Sequence, residues 1–283
     1  MKHLLLLLAI FLLGACQTKV VLPQIPTDYT EQHQAWKAER LANLRTPTGW
    51  LSMIGLHWLK EGENGCGSAV GQQIPLPSSA PGHLATYTLI DGKINCTAMD
   101  EKGLIITDED NCSMAYGSLR WYTLERGGRY GIRVQDTLLP TRIRLAPITY
   151  FELDPTYRVS AQWEAAREDA SVMMRNVLDM EYPVPIEGKL RFTLAGQQHE
   201  LVALDGGPDD LFLIFADKTT GETTYGGGRY LYCPRPDANG RTIVDFNRAY
   251  NPPCAFTRFA TCLLPQIENH LPIALNCGEK DFH

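Results

Sequence analysis

The pattern of apolar and polar positions changes from helical to alternating near residue 49. Residues 27–44 are polar, rich in helix-forming residues and free of proline and glycine. Within them, Trp36, Leu41 and Leu44 form a partial apolar stripe at helical spacing. The sequence therefore predicts an N-terminal helix within residues 27–48 that packs on the rest of the protein.

Beyond residue 49, short runs of alternating apolar and polar residues are separated by turn residues. Asp91-Gly92 predicts a tight hairpin turn between two such runs. Turn signals recur about every 8–12 residues, which is typical of a β-sandwich or barrel. We therefore predict a mainly β protein with an N-terminal helix. A small sandwich-like lobe at residues 49–118 packs on a larger antiparallel β-sandwich or barrel at residues 119–283.

Some segments give weaker patterns. Residues 164–169 fit a helical turn, and residues 172–180 weakly favour a strand. Residues 222–225 predict a short strand between the turn at 219–221 and the glycines at 226–228.

The first 26 residues predict export. Met1-Lys2-His3 precedes an apolar run at residues 4–13, which small residues follow, and this is the arrangement of a signal peptide. The run is too short to span a bilayer, which needs about 20 residues. We assign residues 1–15 to the signal peptide and residues 16–26 to an extended tether.

The end of the signal, Leu13-Gly14-Ala15-Cys16, resembles a bacterial lipobox. The resemblance implies cleavage before Cys16 and acylation of its thiol and amine, which would give a stable membrane anchor. Gln17 follows, and resemblance to lipoproteins in general then implies the outer membrane. An ordinary secretory signal that ends at a cysteine is the alternative. We expect a lipid-anchored protein of the bacterial cell envelope.

Charge and motif spacing exclude several classes of function. The net charge of −6 and the pI near 5.7 argue against nucleic-acid binding, because a surface that follows phosphates needs an excess of basic residues. No second apolar run approaches membrane-spanning length. The sequence contains no Cys-x-x-Cys or His-Glu-x-x-His spacing, so we predict no metal site and no cofactor.

Seven cysteines remain after Cys16, and export would permit disulfides. Cys254 and Cys262 are the preferred pair because they close a short loop, and Cys96 with Cys112 is the weaker candidate. The odd number leaves at least one free thiol or an intermolecular bond. A catalytic Cys254 would need a neighbouring base and a lowered pKa, and a disulfide with Cys262 is its simpler fate.

Polar residues concentrate in the stretch from Asp245 to Cys254. Asp245 and Asn247 lie on one face of a predicted strand, and Pro252-Pro253 then stiffens the chain beside Tyr250 and Asn251. Such a cluster either binds something or forms a buried hydrogen-bonded network that stabilises a β-rich core. The sequence leaves both interpretations open.

This stretch belongs to a wider set of unusual residues that resembles a bacterial family known as domain of unknown function 1684. The resemblance implies no activity, because no established function is attached to the family. It rests on Gly49-Trp50-Leu51, Gly55-Leu56-His57-Trp58-Leu59, Glu61-Gly62-Glu63-Asn64, Arg133, Asp136, Phe215, Asp217, Thr219, Gly221-Glu222, Thr224-Tyr225, Gly228-Arg229, Asp245 through Cys254, Cys262, Asn269 and Gly278-Glu279-Lys280.

A weaker resemblance concerns residues 59–97, whose Glu-Gly-Glu-Asn turn and following hairpin are similar to a forkhead-associated β-sandwich. That family reads phosphothreonine with an arginine after the glycine turn. The matching segment here, residues 65–68, has no arginine, so the resemblance implies the fold and not the phosphopeptide function.

Strand ends of the larger lobe carry the candidate chemistry. Close carboxylates would raise the pKa of one of them and so supply an acid and a base. The alternative is that each carboxylate pairs with a nearby cation or turn amide. We expect one polar pocket made by Asp217, Tyr225, Arg229, Asp245, Asn247, Tyr250, Asn251, Asn269 and Glu279.

Three functions follow from this expectation. The preferred one is a binding protein for a small envelope ligand such as a glycan fragment, a peptide or an anion. The alternatives are a carboxylate-dependent hydrolase and a structural or assembly lipoprotein in which the polar residues only stabilise the core.

Overall fold

The computed structural model describes residues 23–282, and within them the chain is mainly β-strand. The predicted N-terminal helix is confirmed as α1, which runs from Tyr29 to Leu44. Tyr29, His33, Arg40 and Leu44 are its buried residues, so one side of the helix packs on the body of the protein through polar as well as apolar groups.

The first half of the body is a sandwich of two sheets. One sheet has the strand order β1-β9-β8-β7-β6 and the other β3-β2-β4-β5. The strands are β1 (Met53–Trp58), β2 (Gly62–Gly67), β3 (Ile74–Pro75), β4 (Ala85–Ile90), β5 (Lys93–Ala98), β6 (Leu104–Asp108), β7 (Ser113–Tyr116), β8 (Leu119–Arg126) and β9 (Arg129–Asp136).

Side chains from both sheets meet in one core, because alternate residues of each strand point inward. Tyr87 of one sheet and Trp121 of the other are fully buried there. The Trp121 indole N–H donates to the Tyr87 hydroxyl at 2.8 Å, and that hydroxyl donates to the carbonyl of Cys112 at 2.9 Å. The large aromatic groups therefore have their polar atoms satisfied.

The second half is an antiparallel sheet that nearly closes into a barrel. A short helix α2 (Leu139–Arg142) precedes it, and its strand order is β16-β15-β14-β13-β10-β17. The Thr242 hydroxyl donates to the Pro234 carbonyl at 2.5 Å, which links β17 to β16 across the opening. The remaining strands are β10 (Arg158–Ala165), β11 (Ser171–Arg175), β12 (Glu181–Pro185), β13 (Gly188–Leu194), β14 (Gln197–Asp205), β15 (Asp210–Phe215), β16 (Arg229–Pro234) and β17 (Arg241–Asp245).

Apolar residues fill the barrel and also cover part of its outside. Leu190, Phe192, Phe215 and Phe246 pack in the interior. A second cluster contains residues of β14 to β16, the β11–β12 ribbon, residues 250–263, and Trp36 and Trp50 from the N-terminal segment. The C-terminal loops and α1 are therefore anchored to the outer wall of the barrel.

Strand pairing and turn geometry change three details of the expected organisation. β8 and β9 pair with β7 and β1, so the sheet that begins in the small lobe continues to Asp136 instead of ending at residue 118. The expected strand at residues 222–225 is wrong, because the amides of Thr223 and Thr224 donate to the Thr219 carbonyl and close a compact turn. The helical turn expected at 164–169 is also wrong, since β10 includes Glu164 and Ala165.

The cysteine pairing corrects the preferred prediction. Cys96 and Cys112 form a disulfide that connects β5 to the loop before β7. Cys254 and Cys262 are free thiols, and the Cys254 amide donates to the Cys262 sulfur at 3.0 Å. The preferred pair is therefore adjacent but not bonded.

The predicted signal peptide, Cys16 and most of the predicted tether lie outside the described residues. Among residues 23–282, no helix combines the length and apolar character needed to cross a membrane.

Candidate functional site

Asp217 and Arg229 form a buried ion pair between the end of β15 and the start of β16. Their side chains are fully buried, and the Arg229 Nη2 donates to the Asp217 Oδ2 at 2.7 Å. Arg229 also donates to the carbonyls of Cys277 and Leu275. Asp217 accepts from the amide and hydroxyl of Thr219 at 2.8 and 2.6 Å. Both charges therefore hold the C-terminal segment onto the barrel.

The glycine before Arg229 explains part of the local sequence. Gly228 adopts φ of +80°, and a Cβ added there would lie 2.7 Å from the Phe215 carbonyl oxygen. Only glycine fits such a backbone position without strain. The glycine run therefore lets the chain enter β16 directly beside the end of β15.

Asp245 and Asn247 form a second network that holds the start of α1. The Tyr29 hydroxyl donates to the two Asp245 oxygens at 2.8 and 3.0 Å. The Asn247 side-chain amide donates to the Tyr29 hydroxyl at 3.1 Å and to the Asp154 carbonyl at 2.8 Å. Burial and the neighbouring Asp245 charge raise the pKa of Tyr29, so its hydroxyl remains a donor.

Glu279 and Asn251 form a third network, further along the same helix. The Arg40 Nε donates to the Glu279 Oε1 at 2.9 Å, and the Arg40 Nη2 donates to the Asn251 carbonyl at 2.9 Å. The Asn251 amide donates to the other Glu279 oxygen at 2.7 Å. The Arg40 guanidinium also lies 4.6 Å from the ring centre of Tyr250 and 4.7 Å from that of Trp50. These contacts make Arg40 the central link between α1 and the C-terminal loops.

Asn269 belongs to none of these three groups and joins two strands. Its side-chain amide donates to the carbonyls of Val202 and Ile214 at 2.9 and 2.8 Å, and its side-chain oxygen accepts from the Val202 amide at 2.7 Å. Tyr225 belongs to a further contact, in which its side chain is hydrogen-bonded to Cys254. The nine predicted residues thus belong to several hydrogen-bonded groups.

This distribution decides what the carboxylates can do. A general acid or base needs an oxygen that can reach a substrate. Asp217, Asp245 and Glu279 are each buried, and their oxygens accept hydrogen bonds from the protein. Among residues 23–282, no group of three or more His, Cys, Asp or Glu side chains is arranged to hold a metal ion.

A groove on the outer wall of the barrel is a large open cavity in the described part of the chain. Its volume is about 1230 Å³. It is lined by Pro23, Ile25, residues 155–162, residues 191–196, Gln198, Arg241, Ile273 and Ala274. The strand register places Gln162 beside Arg191 on β13 and beside Arg241 on β17, so these polar side chains share the outward face.

Comparison with known proteins identifies the region that contains these features. A family model described as "Protein of unknown function (DUF1684)" matches residues 144–280. Residues 144–280 form a DUF1684 domain. The uncharacterized protein from gene locus rrnAC0354 of Haloarcula marismortui, solved by solution NMR, is 32% identical. The match covers 47% of this chain and 75% of that chain, with a TM-score of 0.39. No curated protein matches this chain.

The DUF1684 domain contains all nine predicted site residues and most of the groove. It does not contain Tyr29 and Arg40, which complete two of the polar networks from α1. The sequence interpretation also missed Arg158, Arg191 and Arg241. Each arginine is isolated in the sequence. The strand register brings Arg191 and Arg241 to the two sides of Gln162, whereas Arg158 lies opposite Asp245, four residues away along β10.

Proposed function

We propose that this is a lipid-anchored protein of the bacterial cell envelope whose DUF1684 domain binds a small anionic ligand in the outer groove. The observation that carries the proposal is the charge of the lining. Arg158, Arg191 and Arg241 line the groove, and none of its lining residues is Asp or Glu, although the chain as a whole is acidic. Guanidinium groups favour carboxylates and phosphates, with which they form paired hydrogen bonds.

The other lining residues support a ligand that has uncharged parts as well. Ser160, Gln162 and Thr193 offer hydroxyl and amide groups, and Ile25, Tyr157 and Ile273 offer apolar surface. A concave site with mostly apolar walls and a few placed polar groups is the usual form of a small-molecule site.

Existing ion pairs reduce the availability of one arginine. Arg191 bonds Glu164 at 2.7 Å and Glu200 at 2.8 Å. These pairs are substantially exposed, so water screens them and they are weak. Arg241 lies in an exposed position opposite Gln162, and Arg158 donates one hydrogen bond to the Gln24 carbonyl at 3.0 Å. We therefore expect Arg241 to contribute most to anion binding.

The location suits a protein anchored through Cys16. Pro23 and Ile25 line the groove, and the lipobox-like Cys16 lies shortly before them in the sequence. An acylated Cys16 would hold the groove close to a membrane surface, where a phosphorylated or carboxylated envelope component is accessible.

Calorimetric titration with glucose 1-phosphate tests the binding proposal, with glucose as the neutral control and inorganic phosphate as the minimal anion. We expect saturable binding of glucose 1-phosphate and little binding of glucose. Arg241→Gln should weaken the affinity about tenfold, because a hydrogen bond to a charged group contributes about 1.5–3 kcal/mol. Arg167→Gln is the matched control, since Arg167 is 88% exposed and lies outside the groove. Absence of binding by both anions, or equal weakening by the control, would contradict the proposal.

The anchoring proposal has its own experiment. Cells that express the full chain are labelled with a fatty acid and then fractionated. We expect the wild-type chain to be labelled and to sediment with membranes, and Cys16→Ser to lose both properties. Unchanged labelling of Cys16→Ser would contradict the lipid anchor.

A structural or assembly role is the second candidate. It is favoured by the satisfied contacts of Asp217, Asp245 and Glu279, each of which connects parts of the scaffold. Under this alternative, neither anion binds, and Arg241→Gln changes nothing. The hydrolase interpretation receives no comparable support, because its carboxylates are occupied by protein partners.

A further inference from the structure

The loop after β17 brings two free thiols together. Cys254 lies in a single 3₁₀ turn from Pro253 to Ala255 and is partly exposed, whereas Cys262 is buried. The Cys254 amide donates to the Cys262 sulfur at 3.0 Å, and the two side chains are hydrogen-bonded to each other. A partly exposed cysteine therefore lies against a buried one.

Two tyrosines complete the cluster. The side chain of Tyr225 is hydrogen-bonded to Cys254, and that of Tyr230 to Cys262. The Tyr230 hydroxyl also donates to the Leu263 carbonyl at 2.9 Å. Because Tyr225 begins the turn before β16 and Tyr230 lies in β16, the barrel wall fixes the position of both sulfurs.

The electrostatic surroundings of the two sulfurs differ. Hydrogen bonds from Cys262, Tyr225 and backbone amides lower the pKa of the Cys254 thiol, against the effect of its burial. The hydrogen bond to Cys254 and burial raise the pKa of the Cys262 thiol. Burial alone raises the pKa of Cys66 to about 12, and burial is the main cause that raises those of Cys233 and Cys277 to about 12. Cys254 therefore differs from every other free thiol described in residues 23–282.

We propose that Cys254 and Cys262 form a thiol–disulfide exchange site, in which Cys254 attacks a disulfide substrate and Cys262 resolves the mixed disulfide. An accessible attacking thiol with a protected second thiol beside it is the arrangement that such exchange requires. The substrate class is a disulfide of a small molecule or of an extended, accessible polypeptide segment.

The reaction balances without a further reactant. The Cys254 thiolate attacks one sulfur of the substrate, the substrate S–S bond breaks, and the first substrate thiolate leaves. The Cys262 sulfur then attacks the Cys254 sulfur, and the second substrate thiolate leaves. Two electrons pass from the protein to the substrate, and the protons lost by the two cysteines are taken up by the two leaving thiolates. The product is a Cys254–Cys262 disulfide and two substrate thiols.

The first experiment compares the five free thiols of residues 23–282 in the same native chain. The reduced protein is treated briefly with iodoacetamide at pH 7, quenched and analysed by peptide mass spectrometry. We expect Cys254 to be alkylated at least about tenfold faster than Cys66, Cys233 and Cys277, because the thiolate is the reactive form. Equal rates at Cys254 and Cys233 would overturn the proposal.

The second experiment follows the exchange itself with glutathione disulfide as the probe. In the wild-type chain, we expect a Cys254–Cys262 disulfide and release of glutathione. Cys262→Ser should accumulate a stable mixed disulfide between glutathione and Cys254, whereas Cys254→Ser should leave Cys262 unmodified. Glutathione attached to Cys262 in Cys254→Ser, or no mixed disulfide in a folded Cys262→Ser, would overturn the assigned roles.

Tyr225 is a positioning residue in this proposal, and the pH profile of Cys254 alkylation tests it. The titratable groups around Cys254 are Cys262, Tyr225 and Tyr230, with Asp281 near Tyr225. Tyr225→Phe removes a hydrogen bond to the Cys254 sulfur, so the profile should move to higher pH with an unchanged plateau rate. Tyr122→Phe, in the sandwich, is the control and should leave the profile in place. A lower plateau with an unmoved profile would instead indicate a purely structural role.

Discussion

The two halves of the body stabilise their interiors by different means. In the sandwich, buried side chains such as Ile74, Met114 and Trp121 form a largely apolar core, and a Cys96–Cys112 disulfide connects its chain segments. In the DUF1684 domain, the apolar barrel is surrounded by buried ionic contacts, of which the Asp217–Arg229 pair is completely buried. Its described cysteines are free thiols.

The difference shows where the unusual residues of the sequence act. A disulfide stabilises mainly by restricting the unfolded chain, whereas a buried ion pair acts in the folded state and becomes costly when one partner is lost. The polar networks join elements that are far apart in the sequence, since Tyr29 bonds Asp245 and Arg40 bonds Glu279. We therefore expect the DUF1684 domain to be sensitive to charge and pH, and the sandwich to be sensitive to reductant.

Arg229→Met should have the largest effect. It leaves the buried Asp217 carboxylate without its cation, and loss of one partner of a buried pair costs about 3–5 kcal/mol. Denaturant unfolding measures this loss. Arg235→Met is the matched control, because Arg235 is about one-third exposed in its pairs with Glu187 and Asp205, and we expect less than about 1 kcal/mol. Equal losses in the two variants would remove the contrast between buried and exposed charge.

His33 should make the attachment of α1 sensitive to acid. Burial lowers the pKa of His33 to about 4, and its ring stacks on Trp36 with the centres 5.4 Å apart. Below the ordinary pKa near 6.5, His33 binds a proton in the unfolded chain, but in the folded chain it does so only near pH 4. The contribution of neutral His33 to the free energy of unfolding is therefore complete above pH 6.5. It is lost as the pH falls to about 4, which lowers the free energy of unfolding by about 3 kcal/mol.

The stability of His33→Phe, measured from pH 7 to pH 4, tests this sign. The variant keeps an aromatic ring beside Trp36 and should lose much less stability in that range than the wild type. His83→Gln, at a partly exposed site in the sandwich, is the control and should keep the wild-type acid sensitivity. If the stability of His33→Phe falls as steeply with pH as that of the wild type, other groups cause the acid sensitivity.

The helix and most strands could be predicted because their signals are local. Asp91 and Gly92 adopt φ of +48° and +74°, which is the turn that this dipeptide favours. β10 was harder, because it pairs with β13 and β17 and its last residues, Glu164 and Ala165, are exposed. The prediction of a strand at residues 222–225 was wrong because the following backbone amides donate to the Thr219 carbonyl and close a turn.

The candidate site depended on contacts that no local pattern reveals. The sequence singled out Asp245 and Glu279 because they occur among unusual polar residues. Their partners Tyr29 and Arg40 lie more than 200 positions away, on a helix whose polar side is buried. The groove could not be predicted for the same reason. The residues next to an outward-facing arginine such as Arg241 in the sequence do not distinguish it from any other surface residue.

Removal of the Cys96–Cys112 disulfide should weaken the sandwich by an amount similar to the His33 effect. The bond closes a separation of 16 residues, for which chain entropy gives about 3 kcal/mol. Paired Cys96→Ala and Cys112→Ala substitutions should accelerate hydrogen exchange in residues 53–136 more than in residues 144–280. The Cys233→Ala variant is the control, since its thiol is free in the barrel core and its effect should appear in the second range. Acceleration confined to the DUF1684 domain would reverse the comparison.

Tyr29→Phe should have the smallest effect and the most local one. The substitution removes the hydroxyl that donates to Asp245 and accepts from Asn247, but keeps the ring. A hydrogen bond to a charged acceptor contributes about 1.5–3 kcal/mol, and the remaining amide contact of Asn247 with Asp245 offsets part of its loss. We expect about 1–2 kcal/mol, with faster hydrogen exchange in the first turns of α1, because the Arg40–Glu279 contact still holds its other end. Tyr122→Phe should leave α1 unchanged. If exchange accelerates equally along the whole helix, the two networks act as one unit, and the polar contacts of the domain are coupled instead of independent.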